Sequence, residues 1–239
     1  MEDKQLTLVE HLSELRKRII IIFIAIILGS FLGYKYIDIM VEYIVKPAKK
    51  LEFIYLSPPE LFVAYIKIAV IVGIIISSPI SLMQIWLFVK PGLKRNERRY
   101  LLFSLYMGIM FFLIGVTFAY LVIIPLTIDF FTQVSMKQIT PLFSFDSYLS
   151  FVSSMLFSFG LVFELPLLII LLTQLNLITA KTLKKYRKVV ILLIFILAAI
   201  LTPPDVVSQI LLALPMVFLY EFSIWVSAGI GKRKNKKGD

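Results

Sequence analysis

Three carboxylates in this chain stand where a carboxylate needs a reason. Glu164 lies deep in an apolar run, within Phe159-Gly160-Leu161-Val162-Phe163-Glu164-Leu165-Pro166. An ionised acid in hydrocarbon is costly, so such a group is neutral, hydrogen-bonded or turned toward water. At about 100° per residue, Ser150, Ser153 and Gly160 fall within about 40° of it on a helical wheel, with Phe157 beside them. That small, polar strip suits a concave pocket open to lipid and water. Glu97 is the one acid in Lys90–Tyr100, KPGLKRNERRY, among five basic residues. A lone carboxylate among cations at a membrane face is a docking point for a positively charged partner. Glu14 stands one turn before Arg18. Each has a plainer reading: a protonated Glu164 bonded to a neighbouring helix, charge dilution at Glu97, and an i,i+4 ion pair of Glu14 with Arg18, worth roughly a few tenths of a kcal/mol.

Other chemistries find no support in the residues. His11 is the single histidine and there is no cysteine, so neither a metal site nor thiol chemistry is expected. No Ser/His/Asp set, H-E-x-x-H or P-loop is present. Asp38, Asp129, Asp146 and Asp205 all fall at the expected outer ends of the apolar runs, so paired intramembrane aspartates are not expected either. The reading is of a protein without catalytic residues, metal or cofactor.

The elements that position these groups follow from composition. Of 239 residues, 59% are hydrophobic and 17% charged, and the mean hydropathy is +0.92. Several apolar runs approach or exceed the roughly 20 residues that cross a bilayer as helix. Long runs without strict alternation argue against a β-barrel. The net charge of +10 is topogenic rather than a nucleic-acid signature. Nineteen of the 25 basic residues lie in Lys4–Arg18, Lys90–Arg99, Lys181–Lys188 and Lys232–Lys237, which alternate with apolar hairpins. Lys/Arg-rich loops stay on the cytoplasmic side. Acids and an amphipathic helix ahead of the first run argue against a cleavable signal peptide.

In order, Thr7-Leu8-Val9-Glu10 fits a capping box. Leu8, Leu12, Leu15 and Ile19 form one apolar stripe on a helix over residues 1–18. Spans are expected at 19–36, 65–89, 100–124, 148–172, 189–201 and 206–228, with a basic tail at 229–239. Ser57-Pro58-Pro59-Glu60 starts a helix near Pro58, and Pro79 is expected to kink it. Gly108 and Gly115 suit close helix contact. Residues 125–146 are expected as a loop, with Asp146 capping the next helix. The fifth span is short of the hydrocarbon thickness. Thr202-Pro203-Pro204-Asp205 then starts the sixth. The expected fold is therefore an all-α polytopic membrane protein forming a single membrane domain. It has six transmembrane helices, short fifth and sixth spans, a concave side and both termini cytoplasmic.

These motifs converge on a family. His11-Leu12-Ser13-Glu14-Leu15-Arg16 resembles the N-terminal motif of TatC, the multispanning subunit of the twin-arginine protein translocase. Phe88 with Pro91-Gly92-Leu93 and Asn96-Glu97-Arg98-Arg99 is similar to that family too. So are Ser150-Phe151, Phe159-Gly160 with Phe163-Glu164-Leu165-Pro166, and Leu201-Thr202-Pro203-Pro204-Asp205 with Ser208-Gln209. The resemblance spreads over most of the chain, in order. It implies a receptor in the bacterial cytoplasmic (inner) membrane for twin-arginine signal peptides of folded precursors. The receptor would work with single-span TatA- and TatB-type subunits, and with further copies of itself, under the protonmotive force. By the same resemblance Glu14 and Glu97 bind the signal peptide, with Phe88, Arg95 and Arg16 nearby. Glu164, Asp205, Gln209 and Pro47 are implied as polar or partner contacts around the spans. Physics agrees on one point: an Arg-Arg pair offers two planar forks that suit carboxylates.

A small-molecule or ion transporter with Glu164 as proton relay is the competing reading. It calls for an inverted repeat and broken helices at the midplane, and neither is visible in the sequence.

Overall fold

The structure is a computed structural model. It describes residues 8–49, 51–89, 98–134, 142–202 and 205–235. The expected cap at Thr7, the acid Glu97, Arg95, Pro203 and Pro204 lie outside the described residues. The chain divides into two compact units, residues 1–41 with 65–109, and residues 42–64 with 110–239.

In the first unit, α1 runs unbroken over Leu8–Lys35, so the amphipathic stretch and the first apolar run form one helix. α2 (Ile37–Val45) follows after Tyr36 and leads out of this unit into the second. α3 spans Pro58–Val89. Its start at Pro58 is the one the S-x-x-E pattern with proline expects, and it remains a single helix through Pro79. α1 lies against α3 at nearly bare backbone. A Cβ on Gly29 would stand 2.8 Å from the Gly73 carbonyl oxygen, and one on Gly33 3.1 Å from that of Ala69. A Cβ on Gly73 would strike the Ser30 hydroxyl and stand 2.7 Å from its amide nitrogen. In lipid, where apolar surface gains nothing by leaving hydrocarbon, such close approach is what holds helices together.

Leu12 and Ile19, members of the apolar stripe of α1, are 65% and 54% exposed, free to meet lipid rather than protein. The side that meets α3 carries His11, Glu14 and Arg18.

The second unit holds most of the helices. α4 (Arg98–Phe118) enters it and passes through a π-turn, Ala119–Ile123, into α5 (Ile124–Val134). The sequence reading ends this helix at Ile124, before Pro125. The structure carries it ten residues further, to Val134. Pro125 has no N–H for the regular ladder, and the wider turn absorbs it: the Ile124 amide bonds five residues back, to Ala119. Gly115 of α4 seats on the backbone of Phe159, and the Phe112 ring sits 2.6 Å from where a Gly160 Cβ would be.

α6 (Phe145–Val162) and α7 (Leu165–Gln174) are separated by a break at Phe163 and Glu164. α7 ends in a left-handed cap: Asn176 has φ 58°, its amide bonds Thr173, and the Leu177 amide bonds Leu172. α8 (Ala180–Lys185) leads to α9 (Arg187–Leu201) and α10 (Val206–Asn235). α10 packs on α7, α8 and α9. Its expected shortness is corrected: α10 has 30 residues, because Pro215 does not end it and it continues through Gly229 and Gly231. α9 has 15 residues.

Among the described residues, four helices are long and apolar enough to cross a membrane, or five if α1 with α2 is counted as one bent span.

Candidate functional site

Two groups of the expected residues gather in the structure, one in each unit. In the first unit, Glu14 on α1 accepts from Arg18 Nη2 at 3.0 Å. One turn of helix places the two side chains on one face. Arg18 Nη1 also donates to Gln84 Oε1 at 2.8 Å, so its guanidinium bridges α1 and α3. Both members of the ion pair are sheltered, at 23% and 22% exposed, and Gln84 is 6% exposed. Beside them the His11 ring stacks on Phe88, centroids 4.4 Å apart and planes 16° from parallel. Phe88 thus holds α1 to the end of α3. Arg16 is exposed. It lines a cleft of about 550 Å³ along this helix with Ser13, Glu14, Lys17, Arg18, Ile20 and Ile21. The arrangement presents a carboxylate at the edge of a basic cleft. In this arrangement Oε1 of Glu14 is already occupied by a guanidinium.

In the second unit the residues fall into three places. Glu164 sits in the α6–α7 break. Pro166 has no N–H for the Val162 carbonyl, and the chain tightens there, the Glu164 amide bonding Leu161 at 3.1 Å. Glu164 Oε1 is buried without a hydrogen-bond partner among the described residues. Phe118, Phe159 and Phe163 cluster next to it, centroids 5.7 to 6.5 Å apart. The expected open strip is corrected at one member. Ser150 is exposed and Ser153 half-buried, but Gly160 is buried against Phe112. Glycine here serves close packing by a ring rather than an open face.

Asp205 caps α10, its Oδ1 accepting from the Ser208 amide at 2.7 Å. Gln209 donates through Nε2 to the Phe195 carbonyl at 3.1 Å and so ties α10 to α9. Asp205 also lines an apolar pocket of about 330 Å³ with Leu51, Ile128, Phe131, Phe143, Ser147, Tyr148 and Phe151.

Pro47 lies in the 3-10 turn Lys46–Ala48 after α2. It cannot donate to the Tyr43 carbonyl four residues back. The Tyr120 hydroxyl does so instead, at 2.6 Å, and that of Tyr148 serves the Ile44 carbonyl, also at 2.6 Å.

Sequence reasoning missed what surrounds this turn. Two short strands, β1 (Phe53–Ile54) and β2 (Phe143–Ser144), pair in parallel. Glu60 accepts from the Leu56 amide at 2.6 Å and the Ser144 hydroxyl at 2.8 Å. Ser144, not Asp146, caps α6, accepting from the Ser147 amide, because strand pairing holds Ser144 extended. Asp146 falls in the first turn. Also missed was the pair of Arg187 and Glu221 at 2.7 Å. Both ends were legible as charges, but 34 residues separate them.

Similarity to known proteins is decisive for the family. Residues 10–215 match the family model of the Sec-independent protein translocase protein TatC. The chain belongs to the TatC family. The TatC of Carboxydothermus hydrogenoformans is 43% identical over all of this chain and 99% of its own length. That of Aquifex aeolicus is 39% identical over 96% of this chain and 98% of its own length. A crystal structure of the twin arginine translocase receptor TatC in DDM superposes with a TM-score of 0.84 at 38% identity, over 91% of this chain and 99% of that one. As a TatC protein the chain is a subunit of the Sec-independent translocase and an integral protein of the bacterial inner membrane. Its relatives are named as translocase components, a transport role.

Proposed function

We propose that this chain is the receptor and core subunit of the twin-arginine translocase, and not an enzyme. In this reading Glu14 and Glu97 receive the paired arginines of a signal peptide at the cytoplasmic face. Phe88, Arg95 and Arg16 shape the contact. The observation that carries the reading is Glu14 itself, a sheltered carboxylate at a basic cleft that already holds one guanidinium at 3.0 Å. Planar forks match carboxylates in pairs of bonds, which an ammonium cannot reproduce.

The rest of the reading concerns the frame. The chain crosses the membrane six times with both termini cytoplasmic. α9 is the fifth crossing, about 22 Å long at about 1.5 Å per residue, so the bilayer is thinned or the turn is sunken there. Single-span TatA- and TatB-type subunits and further copies of the chain assemble around Glu164, Asp205, Gln209 and Pro47. The unpartnered Oε1 of Glu164 supports this, since a partner helix with a polar group would satisfy it.

Binding of a labelled Arg-Arg signal peptide to the purified protein tests the proposal. Charge-assisted hydrogen bonds contribute about 1.5–3 kcal/mol, so Glu14→Ala and Glu97→Ala should each weaken binding by about ten- to a hundredfold. A Lys-Lys peptide should bind the unaltered protein comparably weakly. Unchanged affinity in both variants would place the contact elsewhere.

A further inference from the structure

We propose that Arg18 is an internal competitor for the signal-peptide acid: it occupies Glu14 in the empty receptor and must be displaced before an arginine of the peptide can bind. This deepens the reading above and rests on Glu14 being a peptide contact.

Three observations carry it. First, Glu14 is not vacant. Its Oε1 is taken by a guanidinium, the same chemical group that the peptide brings. Second, Arg18 has somewhere to stay. Its other terminal nitrogen donates to Gln84 Oε1 at 2.8 Å across the helix pair. A neutral amide holds a guanidinium without neutralising it, so Gln84 retains Arg18 after Glu14 has been surrendered. Third, the guanidinium is incompletely satisfied where it stands: Arg18 Nε is buried without a partner among the described residues. The resting pair is therefore a modest one, with little beyond it to hold Arg18 on Glu14.

The exchange swaps one guanidinium for another. An incoming arginine regains the bonds that are broken. An incoming lysine is a point charge without the fork and regains less. Arg18 does not alter the ratio of the two intrinsic affinities. It lowers both by the same factor, and so pushes weak ligands below the concentration at which they are bound. It also keeps Glu14 paired in the empty protein, where a sheltered lone carboxylate would be costly.

The test is peptide affinity in purified full-length variants. Arg18→Gln keeps an amide that can bond Gln84. It should raise affinity for Arg-Arg and Lys-Lys peptides by a common factor, about three- to tenfold, the range of a modest hydrogen-bonded pair. In a Glu14→Gln background the same change should give no rise, because the competitor acts only through that acid. A rise that persists in the Glu14→Gln background would reduce the effect to general charge and overturn the proposal. A fall in Arg-Arg affinity would make Arg18 a positioning residue instead, and would equally overturn it. Gln84→Leu gives the opposite sign independently of how Arg18→Gln folds. Without its second anchor Arg18 depends more on Glu14, so Arg-Arg affinity should drop by about threefold, and unchanged affinity would count against displacement. If Glu14→Gln alone binds the Arg-Arg peptide normally, the receptor reading of Glu14 fails, whatever Arg18 does.

Discussion

The Tyr120 hydroxyl donates to the Tyr43 carbonyl at 2.6 Å, supplying the hydrogen bond that Pro47, four residues beyond Tyr43, has no N–H to give. A proline and a distant tyrosine thus complement each other at one backbone oxygen. Tyr120→Phe should destabilise the protein by about 1 kcal/mol, read as a lowered midpoint of thermal unfolding in detergent. Pro47→Ala restores an N–H at the right position. In that background the loss from Tyr120→Phe should shrink to a fraction of its value, a coupling visible in a double-mutant cycle. Additive effects would mean that the carbonyl is satisfied in some other way.

The α1–α3 contact makes a second expectation. A Gly73 Cβ would stand 2.7 Å from the Ser30 amide nitrogen and 2.8 Å from the Ile26 carbonyl oxygen. These are backbone atoms that cannot swing aside. Gly73→Leu should cost about 1–3 kcal/mol, in the range of overpacking. Because the same helix pair carries Glu14 and Gln84, signal-peptide affinity should fall with it. Normal unfolding and binding in Gly73→Leu would show that the two helices are free to part.

Glu164 is tested by comparing two variants. Glu164→Gln keeps shape and hydrogen bonding but cannot ionise, while Glu164→Ala keeps neither. If the side chain serves a hydrogen bond to a partner helix, Gln should retain most transport and Ala should lose it. Peptide binding should remain intact in both. Equal failure of both variants in a vesicle transport assay would point to proton transfer. Full transport with Ala would leave no role for the acid.

Orientation is open to chemical labelling. In intact cells a cysteine at position 49 should react with a membrane-impermeant maleimide, and one at position 184 only after permeabilisation. External labelling at 184 would reverse the chain in the membrane and remove Glu14 from the cytoplasmic face.

Local chemistry was legible in the sequence, and contacts between distant residues were not. The start of α3 at Pro58 and the break before Asp205 follow from residues a few positions apart. Gly115 could be read as a close-contact glycine from its type alone. The side of α1 that meets α3 was not legible, because in lipid the leucines are at no disadvantage facing outward, and small or polar residues make the helix contacts. Pro125 was read as a terminator because a π-turn leaves no mark in the sequence. The partners of Tyr43 and Ile44 lie 77 and 104 residues along the chain, and no spacing rule reaches so far.

Those separations bear on how the chain is built during synthesis. Residues 43–60 leave the ribosome long before Tyr120, Ser144 and Tyr148, which complete their hydrogen bonds. During that interval the Tyr43 and Ile44 carbonyls and strand β1 have only water, lipid headgroups or the insertion machinery as partners. The segment cannot reach its final form until α6 has begun to emerge. Closure of this part of the molecule is then a late event in biogenesis, and a chain stalled before residue 144 would present an unpaired strand edge to its neighbours.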